Sequence, residues 1–235
     1  MNEREKVQLA MALEHYSDAK PRVFVKLRNV NEVRDQNYVY RVIAGDLAMV
    51  LYAIAEYPTE DDALATVRIT KEYVEGWAWL MDLEANHSLF FNNAVWNTAT
   101  LFHPVFAFID KQNTSIKRLE MYDPRVKNEL TSGLDMIVVT SHTGFNGAAL
   151  VLVPGVLDRA CEVLDCDAIF VGVIDQNAAV VHSVESVTPD AVAESMAFAD
   201  DTCGPATVSR QVFRYDRRDR FFSTADDTSQ GMSLA

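Results

Sequence analysis

MIVVTSHTGFNGAALVLVPGVLDRACEVLDCDAIFVGVIDQNAAVVHS, residues 136–183, is the stretch whose pattern decides the fold. It opens on Met136 to Thr140, a short β-branched run that reads as a strand. Thr143 to Gly147 holds two glycines and reads as a turn, and Ala148 to Val153 is expected to be the returning strand. Pro154-Gly155 then starts a helix, with Val156, Leu157, Ala160, Val163 and Leu164 on its apolar face. Ala168 to Ile174 is apolar throughout and reads as a buried strand; Asp175-Gln176-Asn177 turns it, and Ala178 to His182 pairs back. Hairpins separated by helices predict an α+β fold, with antiparallel sheet built from β-hairpins and helices packed on one face.

Working outward, Thr188-Pro189-Asp190 caps a helix over residues 189–200, Gly204-Pro205 breaks it, and Val208 to Tyr215 is a last strand. Residues 223–235 offer little that packs and are expected as a disordered tail. Towards the N-terminus, residues 110–133 are polar and are expected as a long loop. Asn86-His87-Ser88 caps a helix through Trp96, and residues 71–83 read as one or two helical turns broken at Gly76. Residues 65–70, 38–43 and 23–27 read as strands; 46–55 is a buried strand or a buried helix by its pattern, and the turn at 57–62 leading into a strand favours a strand there; 29–37 is a polar connector and 3–16 a helix. The chain is therefore expected to form one α+β unit over residues 1–222, in two lobes (1–110 and 134–222) about the loop at 111–133.

Composition narrows the function. Asp and Glu number 34 against 21 Lys and Arg, a formal charge of -13 over 235 residues. Such a surface repels phosphate backbones and anionic membranes, so nucleic acid and membrane are unfavoured partners and another protein is the expected one. Three cysteines, Cys161, Cys166 and Cys203, have no paired spacing and read as reduced thiols, which makes the cytoplasm the expected compartment. No apolar run is long enough to span a bilayer.

Chemistry-bearing patterns are sparse. No two of His15, His87, His103, His142 and His182 lie three to five residues apart, so no helix-borne metal pair arises, and no metal or cofactor is expected. The turn at 141–147 has glycines but no suitably spaced lysine and joins two strands, so it is no phosphate loop. No catalytic residue is assigned. An enzyme would need groups such as His142, Asp175 and Cys161 to converge in space. On a helix, Cys161 and Cys166 would stand about a turn and a half apart; Cys161 reads as a small buried hydrophobe and Cys166 as a loop residue.

One charge reversal stands out. Arg210, Arg214, Arg217, Arg218 and Arg220 are interleaved with Phe213, Tyr215, Phe221 and Phe222. This basic, aromatic patch is the candidate binding surface, for an acidic partner or a stacked single strand. The preferred reading is plainer: an edge strand whose arginines meet acidic neighbours of the same domain. The aromatic middle, Tyr73, Trp77, Trp79, Phe90, Phe91 and Trp96, divides likewise between core packing, which is preferred, and a ligand pocket.

The segments Val23 to Asn29, Asp46 to Tyr52, Ala94 to Thr98 with Leu101 to Pro104, and above all Met136 to Leu157 with its Asn146-Gly147-Ala148-Ala149 turn, resemble an uncharacterised bacterial family, domain of unknown function 5688, associated with clostridial gut bacteria. The resemblance covers roughly residues 20–222. The chain departs from it in a short segment ahead of the first strand, and in Ala99 where the family tends to have proline. It implies support for the fold and no activity. The expected function is a non-enzymatic protein-interaction or accessory module. An enzyme or small-ligand-binding protein, and an acidic nucleic-acid mimic, are the alternatives.

Overall fold

The computed structural model describes residues 13–54, 66–81, 87–109, 115–123, 136–203 and 208–234, without the side chains of 87 and 198–203. The strands are β1 (Val23–Asn29), β2 (Tyr40–Ala44), β3 (Leu47–Ile54), β4 (Thr66–Arg68), β5 (Pro104–Ile109), β6 (Ile116–Glu120), β7 (Met136–Ser141), β8 (Ala168–Val173), β9 (Ala178–Ser183), β10 (Val212–Asp216), β11 (Phe221–Thr224) and β12 (Gly231–Ser233). The α-helices are α1 (Tyr16–Ala19), α2 (Val30–Val33), α3 (Lys71–Leu80), α4 (His87–Phe102), α5 (Val156–Leu164) and α6 (Pro189–Cys203). Among the described residues no helix is long and apolar enough to cross a membrane.

Two antiparallel sheets organise the chain. In the smaller, β3 is buried at every position because both of its edges are covered. β1 pairs with it along its length, from Val23↔Ala53 to Asn29↔Leu47, while β2 and β4 share the other edge end to end. The larger sheet has the order β12-β11-β10-β8-β9-β7-β5-β6. The larger of two apolar clusters runs through both sheets. Ile169, Val171 and Val173 of β8 face it, together with α5. Phe170 points the other way, where α6 brings Val192 and Met196 against it, so α6 covers the face opposite α5. Gly172 makes room there: a Cβ would stand 2.5 Å from the Met196 sulfur.

The sheets meet at the outer edge of β1, where side chains replace a strand. Val25 N–H donates to Thr98 Oγ1 (3.1 Å), Asn97 Nδ2 to Val23 O (2.8 Å), and Asn146 Nδ2 to Val25 O (2.9 Å). Gln176 Nε2 reaches Leu27 O. Buried backbone groups need such partners, and these four side chains weld α4 and the loops of the larger sheet to β1.

The α+β class with antiparallel sheets is as expected; several local expectations are corrected. Residues 148–153 form no returning strand. Gly147–Leu152 is a fully buried 3-10 helix, because β5 and β9 already occupy both edges of β7. Gly147 is required at its start, since a Cβ would lie 2.2 Å from Asn177 O. α3 runs unbroken through Gly76, which lies on its open side with nothing within 4 Å of a notional Cβ. α4 continues past Trp96 to Phe102, and the connector at 29–37 contains α2, capped by Asn29. The strand expected over 208–215 begins at Val212 and is followed by two more, β11 and β12, and the helix from 189 extends to Cys203. The loop expected at 111–133 contains β6, and β5 and β6 both belong to the larger sheet, so the chain passes between sheets ahead of Pro104. The expected tail holds the end of β11 and all of β12: Phe222 stacks on Phe213 with ring centroids 5.3 Å apart, and Leu234 is buried in the core. The helix expected over 3–16 lies outside the described residues up to position 12, as do the turn at 57–62, the Gly204-Pro205 break and most of the 110–133 loop.

Candidate functional site

A cavity of about 210 Å³ opens between the smaller sheet, α4 and the C-terminal strand. Arg41 and Met49 stand directly opposite each other in the β2–β3 ladder, which puts both side chains on one face. α4 supplies Asn92, Val95 and Trp96; Leu152 and Pro154 come from the end of the 3-10 helix; Met232, Ser233 and Leu234 close the far side. Met49, Leu152 and Leu234 make a buried apolar floor. Trp96 stands at the mouth, 58% exposed, which is unusual for so large an apolar ring. Its position follows from helical spacing: Leu89, Asn92 and Trp96 share one face of α4, while Phe90, Phe91, Ala94 and Thr98 turn inward.

Arg41 gives the cavity its charge. It is exposed, and no described carboxylate forms an ion pair with it. A guanidinium over an apolar floor suits a planar anion, which it grips through two parallel N–H donors. The volume is below that of drug-sized pockets, so the cavity has room only for a compact molecule.

The aromatic middle is thus divided. Trp77 packs in the core against Tyr16 (5.2 Å) and Phe90 (5.6 Å), and its indole N–H donates to Leu13 O (2.7 Å). Trp96 lines the cavity, and Trp79 lies on the surface at 79% exposure.

The arginine-rich segment is engaged within its own domain. Arg217 bonds Glu162 (2.8 Å), Arg220 meets Asp158 (3.4 Å) and Arg214 meets Asp216 (3.6 Å). Arg210 and Arg218 are exposed. Phe213 and Tyr215 are core residues, so neither ring offers a stacking face to a ligand. Tyr215 donates to Asp158 (2.7 Å), and burial followed by that carboxylate pushes its phenol pKa up.

His142, Asp175 and Cys161 engage separate partners. His142 is exposed and faces Glu120 (3.0 Å). Asp175 accepts from the N–H groups of Asn177 and Ala178 and so pins the β8–β9 turn. Cys161 is buried in α5 but meets Cys166, a proximity not foreseen in the sequence. Asp165 adopts a left-handed conformation (φ 51°) after α5, and the chain folds back so that Cys166 N–H donates to Cys161 O (3.0 Å). The Cys161 thiol, and after it Ser183, lower the Cys166 pKa to about 7, while the Cys161 thiol is pushed up by its neighbour and by burial. Cys203's side chain lies outside the described set. Among the described residues no three His, Cys, Asp or Glu gather as metal ligands.

Residues 1–171 match the model of a family of unknown function, DUF5688, and the chain belongs to that family. The matched span includes the cavity's Arg41, Met49, Asn92, Val95, Trp96, Leu152 and Pro154. No curated protein and no solved structure matches the chain.

Proposed function

We propose that the chain is a non-catalytic binding module that takes a compact apolar carboxylate into the cavity between Trp96 and Arg41. The observation that carries this reading is the guanidinium without an ion-pair partner among the described residues, set beside a buried apolar floor and an exposed indole. The carboxylate binds Arg41, and the apolar body lies on Met49 and Leu152 under the Trp96 ring. Among the described residues the lining offers one hydroxyl, Ser233, and no histidine, cysteine or carboxylate to act as its base, so recognition is the function it supports.

Calorimetric titration with benzoate or hexanoate tests it against the matching amides. A charge-assisted contact contributes about 1.5–3 kcal/mol, so the carboxylate binds roughly ten- to a hundredfold tighter than its amide. Arg41→Gln removes that preference, and Trp96→Ala weakens both ligands. Equal binding of acid and amide, or an Arg41→Gln variant with the preference intact, overturns the proposal.

A further inference from the structure

Lys26 lies on the face of the smaller sheet opposite the cavity, because strand alternation sends Lys26 and its partner Val50 away from Arg41 and Met49. Its ammonium sits over the rings of Tyr52 (4.7 Å), Phe145 (4.8 Å) and Phe24 (5.8 Å). Its one recorded hydrogen bond goes to a neutral acceptor, Thr66 Oγ1 (3.1 Å). Among the described residues of the sheet, the other charged side chains on this face are Arg28 and Arg68, both cationic. The carboxylate of Glu32 is directed to Arg28 (3.9 Å), and none among the described residues pairs with Lys26. The enclosure is not closed, for Lys26 keeps part of its surface in solvent.

A lysine that serves only to pack is ordinarily stretched so that its charge reaches water or a carboxylate. Here the amine is held in place by a hydroxyl and three rings, with cations for neighbours. We propose that Lys26 is a reactive amine that condenses reversibly with small aldehydes at the mouth of this aromatic enclosure. The free amine's lone pair forms the C–N bond to the carbonyl carbon. The carbonyl oxygen then leaves as water, carrying both hydrogens of the amine, and an imine remains; hydrolysis reverses the step. Burial first, and Arg28 second, lower the Lys26 pKa to about 8, so a useful fraction is uncharged near neutrality. The rings suit an aldehyde with an apolar or aromatic body. This inference does not depend on the cavity, since the two sites share no residue.

The test uses the whole chain incubated at pH 7.5 with benzaldehyde and cyanoborohydride, which traps imines as stable benzylamines, followed by peptide mass mapping. Lys26 is labelled at least about tenfold faster than the solvent-exposed Lys20 and Lys71. Its labelling is half-maximal near pH 8. Arg28→Gln leaves the strand intact, removes the repelling charge and slows Lys26 labelling severalfold with Lys20 and Lys71 unchanged. Labelling of Lys26 no faster than Lys20 and Lys71, or indifference of its rate to Arg28→Gln, overturns the proposal.

Discussion

At the scale of single residues, the chain's reactivity is set by neighbours that sequence distance hides. Cys161 and Cys166 would diverge on a continuing helix. One left-handed residue, Asp165, ends α5 and brings the thiols together. Asparagine and aspartate tolerate this conformation better than other non-glycine residues, but nothing marks this aspartate in advance. The consequence is measurable. Cys161 first and Ser183 after it favour the Cys166 thiolate, so iodoacetamide alkylation of Cys166, slow because the thiol is buried, is half-maximal near pH 7. Cys161→Ala removes the larger of those two influences and moves the midpoint upward, towards the ordinary thiol range near 8.5. A midpoint unmoved by that change contradicts the pairing. The arginines teach the converse lesson. Arg214, Arg217 and Arg220 look like a basic patch in one dimension, and in three they meet Asp216, Glu162 and Asp158.

At the scale of elements, what was legible is what local pattern controls. The all-apolar β8, the β8–β9 hairpin and amphipathic α5 each carry their own signal, whereas β3 could equally have been a buried helix by its pattern and was favoured as a strand only by the turn and strand after it; the structure has all four. The segment 148–153 carries a strand's composition, but a neighbour distant in sequence, β5, holds the edge of β7 it would need. Propensity yields there to tertiary competition. In the candidate site, Trp96 was legible only as one ring of the aromatic middle, for which core packing was preferred over a ligand pocket; in the structure it shares the outer face of α4 with Leu89 and Asn92. Arg41 was not legible, because its role depends on Met49 across a hairpin and on Met232 from the chain's end. The outer edge of β1 was invisible too, since it is completed by Thr98, Asn97, Asn146 and Gln176 from remote segments. Thr98 is fully buried; it accepts from Val25 N–H and donates to Ala94 O (2.7 Å). Thr98→Val keeps the shape and orphans that N–H, so it lowers urea-denaturation stability by about 1–3 kcal/mol. A change within error would mean that the edge bond contributes nothing.

At the scale of the whole molecule, the larger apolar cluster and the β1 edge join the two sheets, and the C-terminal Leu234 packs into that cluster. Leu234 N–H donates to Arg220 O (2.9 Å), and its side chain is buried beside the cavity. Leu234→Ala is therefore expected to cost about 2 kcal/mol or more in chemical denaturation, whereas a disordered tail would lose nothing. The same strand forms the far wall of the binding cavity, so the variant also weakens the ligand.

The central claim is that this cavity recognises a carboxylate, and two-dimensional NMR of the whole chain during titration with benzoate tests it most directly. Saturable shifts should concentrate at the Trp96 indole N–H, the Arg41 guanidinium and the Met49 and Met232 methyl groups, with the Trp77 indole in the core unmoved. Shifts confined to other surfaces, or a Trp96 resonance indifferent to saturating ligand, would contradict it.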